Sequence, residues 1–292
     1  MTITLKDIHE AAQRIKPYIH RTPVLTNQSL NQKVGANVFM KCENLQKVGA
    51  FKFRGASNAV WSLTDEEAKL GVCTHSSGNH AQALALAAKM RGIPAYIVMP
   101  NNAPQVKKDA VAGYGGQITF CEPTLEARES NLEKIKNETG ANLVHPYNDE
   151  RVIVGQGTAT LELLEEIPDL DVVIAPIGGG GLISGTAIAA TETKRRIQVI
   201  GAEPEKADDA FRSMKEGKII PSENPNTIAD GLLTSLGILT FPIIQERVEQ
   251  VVTVSEASII ESMKFVWERA KIIIEPSAAT VIAVLWEKKI DL

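Results

Sequence analysis

Lys52 lies in the segment KVGAFKFRG (Lys47–Gly55), between Phe51 and Phe53 and beside Arg54. Apolar neighbours and an adjacent cation disfavour the ammonium form, which makes the amine a better nucleophile, suited to a Schiff base with an aldehyde cofactor. The same letters also describe a surface lysine on an amphipathic helix. Ser76-Ser77-Gly78-Asn79-His80 follows the strand-like VCTH and opens an alanine-rich helical stretch. Free backbone N–H groups and the positive end of a helix dipole attract a carboxylate or phosphate at such a junction. Ser and Asn are equally the favoured residues of a plain helix cap. Gly178, Gly179, Gly180 and Gly181 follow DVVIAPI and precede LISGTAIAA. A tight turn needs one or two glycines, whereas four in a row let backbone amides close around a phosphate without a Cβ in the way. They do not form a dinucleotide fingerprint, because Ile183 and Ser184 stand where its last glycine belongs, and no GxxxxGK[ST] loop occurs.

Glu203, Asp208 and Asp209 cluster in GAEPEKADD. Carboxylates at this spacing, with a backbone carbonyl between them, suit a hard divalent cation with several waters, and equally a solvated acidic loop. The histidines (His9, His20, His75, His80, His145) show no HExxH spacing, and His80 reads as a polar group near an anion site.

Apolar runs alternate with helix-length amphipathic segments. Strands are expected at Ala36–Cys42, Gly71–Ser76, Ala95–Met99, Gln117–Cys121, Leu143–His145, Val172–Pro176, Gln198–Ala202 and Val251–Val254. Helices are expected at Asn79–Arg91, at Gln156–Glu166 and from Ile274 onward, and Thr4 with Asp7 three residues later suggests a capped first helix. This alternation argues an α/β protein with mostly parallel sheets. Residues 71–147 read as a small domain inserted into a larger one made of 1–70 and 148–292.

Composition bounds what such residues can serve. In 292 residues, hydrophobic types make up 44% and charged types 23%, the balance of a soluble globular chain. A net charge of −4 offers no basic surface to nucleic acid or an anionic membrane. Cys42, Cys73 and Cys121 form neither a disulfide framework nor a CxxC pair. The N-terminal MTITLKDIHEAAQRI lacks the apolar core of a signal peptide, and a reducing, cytoplasmic home fits. Val172–Thr191 carries no charge and could span a bilayer by length, but its proline and glycines free backbone groups that lipid cannot satisfy. A strand, a glycine turn and a buried helix suit it better.

The order FKFRGA, SSGNHAQA, GGGGLISG, AEPEKADD, with RTPVLT, HPYND, GQGT, TIADGL and IEPSA between and around them, resembles the fold-type II pyridoxal-phosphate enzymes. The similarity runs from about residue 5 to about residue 285. It lies in the branch of serine racemases and serine/threonine dehydratases, and the acidic loop is most similar to the racemase group. The resemblance implies a tryptophan synthase β-like fold of two open twisted sheets flanked by helices. It implies pyridoxal phosphate on Lys52, which is also the base on one face of the substrate Cα, with Ser77 as acid/base on the other. Asn79 would hydrogen-bond the cofactor's phenolic oxygen, Phe51 would pack beside its ring, and Gly178–Gly181 would cradle its phosphate. Glu203, the carbonyl of Ala207 and Asp209 would bind magnesium, calcium or manganese. Ser76, His80 and Arg128 resemble substrate-side positions, and Gln82 and Tyr114 resemble positions of an effector nucleotide site, with ATP as the effector. A homodimer acting on a small amino acid is implied. The expected reaction is racemisation of serine together with elimination to pyruvate and ammonia. The alternatives are a dehydratase of threonine, serine or 3-hydroxyaspartate without racemase activity, and a catalytically silent paralogue. The family also carries, beyond the helix that AVLWEKK (Ala283–Lys289) represents, a strand with a Ser-Gly-Gly-Asn segment and a last helix; neither occurs in these residues. The comparison therefore implies an unpaired sheet edge, looser cofactor binding and low turnover.

Overall fold

The computed structural model describes residues 3–193 and 196–292; Met1 and Thr2, the first letters of the charged N-terminal stretch, lie outside them. Asp7 accepts the backbone N–H of Thr4 (2.8 Å), the expected reciprocal cap, and starts α1 (Leu5–Ile15). The chain continues through β1 (Val24–Thr26), α2 (Gln28–Val34), β2 (Phe39–Lys41), α3 (Lys52–Trp61) and α4 (Asp65–Leu70). Next come β3 (Val72–His75), α5 (Asn79–Arg91), β4 (Ala95–Pro100), α6 (Gln105–Gly113), β5 (Gln117–Cys121), α7 (Leu125–Thr139) and β6 (Asn142–Leu143). Then follow α8 (Glu150–Glu166), β7 (Val172–Pro176), α9 (Gly181–Thr191), β8 (Gln198–Pro204) and α10 (Asp209–Glu216). The last elements are α11 (Thr240–Arg247), β9 (Gln250–Val254), α12 (Glu256–Phe265) and α13 (Pro276–Trp286).

Among the described residues two parallel sheets result, in the orders β5-β4-β3-β6 and β7-β8-β9, and a short antiparallel ribbon pairs β1 with β2. Within a parallel sheet the carboxyl ends of the strands share one edge, and the loops that leave that edge build the sites of such folds. Ser76–His80 leaves β3 there, as Gly178–Gly181 leaves β7 and the acidic loop leaves β8.

The uncharged stretch Val172–Thr191 is β7, the glycine turn and α9, and among the described residues no helix is long and apolar enough to cross a membrane. The expected strand at Ala36–Cys42 shrinks to Phe39–Lys41, paired with a short strand in RTPVLT that periodicity over three residues could not reveal. The expected strand at Leu143–His145 stops at Leu143, because His145 begins a turn.

The helix expected at Gln156–Glu166 begins earlier, at Glu150, where the Asp149 side chain accepts the N–H of Arg151 (2.9 Å). Gly155 and Gly157 lie inside it, where glycine is usually unfavourable. They permit close approach instead. A Cβ on Gly155 would fall 2.6 Å from the Cα of Gly55 in α3, and one on Gly185 of α9 would fall 2.5 Å from the backbone nitrogen of Gly157. α8 is thus gripped between α3 and α9. Because α3 starts at Lys52 and α9 at Gly181, this contact sets the lysine against the glycine turn. Phe53, Ala56 and Val60 of α3 share one core with Leu84 and Ala88 of α5, Ile97 of β4 and Val152 of α8. Val173 and Ala175 of β7, with Ile183 and Ala187 of α9 and Val199 of β8, form a second.

Candidate active site

One cavity of about 1200 Å³ opens between the two parallel sheets. Phe51, Lys52, Ser76, Ser77, Asn79, His80, Arg128 and Gly178 to Gly181 all line it, so residues far apart in the chain meet on one surface.

Lys52 sits at the first turn of α3, its amine donating to the backbone carbonyl of Pro146 (2.8 Å) and lying 5.3 Å from the ring centre of Phe51. Burial lowers its pKa to about 8, with Glu275 opposing the shift. Arg54, which by its place in the sequence is expected to add to this effect, does not. Arg54 is fully buried and turned away, gripping Glu43 through Nε (2.8 Å) and Glu162 through Nη1 (2.9 Å), so its charge is neutralised locally. Phe53 also points elsewhere, into the core. A neutral amine is therefore a product of burial rather than of the adjacent cation.

Asn79, the first residue of α5, donates its side-chain amide to Glu275 (3.0 Å to Oε2), the residue before α13. His80 is 1% exposed, with Nε2 against the carbonyl of Val144 (3.1 Å) and Nδ1 without a partner among the described residues. A carbonyl partner requires the proton on Nε2, so the other nitrogen is an acceptor. Burial, with the charge of Lys52, pushes its pKa down to about 3. His80 thus enters the site neutral. Arg128, in the first turn of α7, is partly buried with Nε enclosed, and among the described residues no hydrogen bond or ion pair holds its guanidinium.

Gly180 takes the left-handed conformation (φ +89°) as the N-cap of α9, a backbone that favours glycine. A Cβ on Gly179 would fall 2.2 Å from Cγ of Tyr147, whose ring closes one side of the turn. The free N–H groups at the start of α9 and the half-buried Lys52 amine of the same cavity fit a phosphate and an aldehyde carried by one molecule.

The acidic loop lies outside the cavity lining. Glu203 and Asp209 are both fully buried, while Asp208 instead pairs with Arg212 (2.8 Å) and leaves the cluster. Glu203 accepts the backbone N–H groups of Ala210 (3.0 Å) and Phe211 (2.8 Å). Asp209 accepts that of Leu236 (3.2 Å), and its Oδ1 is buried with no partner among the described residues. Burial raises both carboxyls, Asp209 to about 7. Two desolvated carboxylates with an orphaned oxygen fit a cation. Among the described residues, however, no group of three or more His, Cys, Asp or Glu is placed to hold one. Gln82 on α5 and Tyr114 at the end of α6 also lie outside the cavity.

Sequence reasoning passed over Glu275 and Tyr147, which stand in segments noted only as flanking text, IEPSA and HPYND, and it took His145 only as a histidine without metal-ligand spacing at the end of a strand; a proline beside each is the local sign of a fixed turn.

The family model described as "Pyridoxal-phosphate dependent enzyme" matches residues 15–292. The chain is 57% identical over 276 residues to a serine racemase of Arabidopsis thaliana, covering 94% of this chain and 83% of that one. It is 52% identical over 282 residues to a beta-hydroxyaspartate dehydratase of Paracoccus denitrificans, covering 97% and 90%. The crystal structure of serine racemase from Dictyostelium discoideum superposes with a TM-score of 0.96 at 53% identity, over 99% of this chain and 93% of that one. A half-buried cavity lysine facing a glycine turn at a helix N-terminus, on a parallel α/β scaffold, agrees with these likenesses, and the chain belongs to the family of pyridoxal-phosphate dependent enzymes.

Proposed function

We propose that the chain interconverts the enantiomers of serine and also eliminates water from serine, giving pyruvate and ammonia. The convergence of Lys52 and Ser77 on one cavity carries this reading, and the identity to the Arabidopsis racemase supports it. Lys52 and the glycine turn Gly178–Gly181 would hold pyridoxal phosphate, with Asn79 and Phe51 beside it. The cofactor, when bound, supplies an electron sink for the carbanion at Cα. Near pH 8 half of the Lys52 side chain is a neutral amine, able to take the Cα proton at Nζ. The Ser77 hydroxyl returns a proton to the other face, which inverts the centre. Elimination needs only the first base and a proton for the departing hydroxyl. The N–H groups at the start of α5, with Ser76, hold the substrate carboxylate, and neutral His80 borders them. Incubation with L-serine tests this: D-serine and pyruvate should both appear, and the absence of D-serine would remove the racemase reading.

A second reading has its own observation. Arg128 presents to the cavity a guanidinium without a partner among the described residues, and the Paracoccus relative is a dehydratase of a dicarboxylic amino acid. Faster turnover of 3-hydroxyaspartate than of serine would favour it.

We further propose that Glu203, the Ala207 carbonyl and Asp209 hold magnesium, calcium or manganese in a structural role, and that Gln82 and Tyr114 border an effector site for ATP. Residues 71–147 would act as a small domain against the rest, since the four-stranded sheet takes its strands from them. A homodimer in a reducing cytoplasm suits this reading, and the three cysteines are free and buried.

A further inference from the structure

The turn after β6 touches both Lys52 and the glycine turn, and one imidazole holds it. Nδ1 of His145 accepts the backbone N–H groups of Tyr147 (3.3 Å) and Asn148 (2.9 Å). Two donors on Nδ1 require that nitrogen to be unprotonated, which places the ring proton on Nε2. The turn so fixed presents the Pro146 carbonyl to the Lys52 amine (2.8 Å) and lays the Tyr147 ring on Gly179. Asn148 accepts the N–H of Leu239 (2.8 Å), which ties the same turn to the segment before α11. The imidazole also stands edge-on between the rings of His75 (5.8 Å) and Tyr147 (4.6 Å), and His75 immediately precedes Ser76-Ser77.

We propose that His145 is a positioning residue: through its Nδ1 acceptor it sets the Pro146–Asn148 turn, which aligns the Lys52 amine with the glycine turn. This rests on the cofactor site described above. The ring's surroundings keep the acceptor available. Burial, then the charges of His75 and Lys52, hold its pKa near 4 against the opposing Asp149, so Nδ1 stays bare at neutral pH.

Side-chain geometry supplies the test. The Oδ1 of asparagine can occupy the place of Nδ1, that of glutamine reaches further, and phenylalanine keeps the ring without an acceptor. His145→Phe should bind pyridoxal phosphate about tenfold more weakly, the order expected when two half-buried N–H donors lose their acceptor. In the cofactor-free protein its Tyr147 and Asn148 amides should exchange faster with solvent, and acylation of Lys52 should shift in pH. His145→Asn should restore all three readouts, and His145→Gln should not. Wild-type cofactor affinity and amide protection in His145→Phe overturn the proposal, as does equal impairment of the Asn and Phe variants. If His145→Phe fails to fold, the Asn and Gln pair decides, since a merely bulky role predicts that they behave alike. Absence of a chromophore in the wild-type protein would count against the cofactor site, while amide exchange still reports on the turn.

Discussion

Arg54→Met should be among the most damaging single changes outside the cavity. The Arg54 side chain is 0% exposed, and its partners Glu43 and Glu162 are only 16% and 12% exposed. Both grips are bidentate: Nε and Nη2 hold Glu43 at 2.8 Å, while Nη1 and Nη2 hold Glu162 at 2.9 and 2.8 Å. Methionine fills much of the volume but leaves two desolvated carboxylates, Glu162 with Lys41 (2.7 Å) and Glu43 with only the neutral hydroxyl of Thr22 (2.6 Å) among the described residues. Breaking a buried ion network from one side costs about 3–5 kcal/mol. At about 2.1 cal/mol/K per residue, unfolding of 292 residues has an entropy of roughly 0.6 kcal/mol/K, so Tm should fall by about 5–8 °C. The loss should also depend on pH. Burial alone would raise the Glu162 carboxyl, but Arg54 and Lys41 hold it below its ordinary value. In the wild type, that depressed pKa gives stability that is present above the ordinary carboxylate range and lost as pH falls. In the variant much of this hold is gone, so the gap between the two proteins should be widest at neutral pH and shrink near pH 4. Urea unfolding at both pH values, with Tm alongside, measures it. A loss below about 1 kcal/mol, or one equal at both pH values, would refute the view that Arg54 anchors α3 through buried charge.

Lys52 should become half-reactive toward an amine acylating reagent near pH 8 in cofactor-free protein, and Glu275→Gln should move that midpoint lower, because the carboxylate opposes the shift; peptide mass spectrometry reads both. Borohydride should fix pyridoxal phosphate on Lys52, and a label on another lysine would remove the assignment. Ser77→Ala should abolish conversion of L- to D-serine while sparing part of pyruvate formation, and equal loss of both would contradict two separate bases. Gly179→Ala should cost about 1–3 kcal/mol by overpacking against the Tyr147 ring and weaken cofactor binding, as calorimetry and absorbance can show. Chelation should lower Tm and 100 Kd of magnesium should restore about 2.7 kcal/mol, whereas Asp209→Asn should respond to neither.

Local chemistry made much of this protein legible before any coordinates. β4, β5, β7 and α5 lie close to where alternation and the Asn79 start placed them, because buried parallel strands read as continuous apolar runs between turn signals. Lys52, the Ser76–His80 loop and Gly178–Gly181 announced themselves by residue type, since an amine flanked by apolar groups and free N–H groups at helix starts are properties of a short segment. What tertiary structure decided is which charges face which. Two cations only two positions apart on α3, Lys52 and Arg54, are sent by helical periodicity one into the cavity and the other into a buried carboxylate network. Asp208 and Asp209 are divided in the same way, one to Arg212 and one into the interior. The partners that complete the cavity, Glu275 on Asn79 and the His145-held turn on Lys52, come from 196 and 94 residues away in the chain. No local pattern can specify them, because their energy exists only once α8 is clasped by the glycines of α3 and α9 and the strand ends converge.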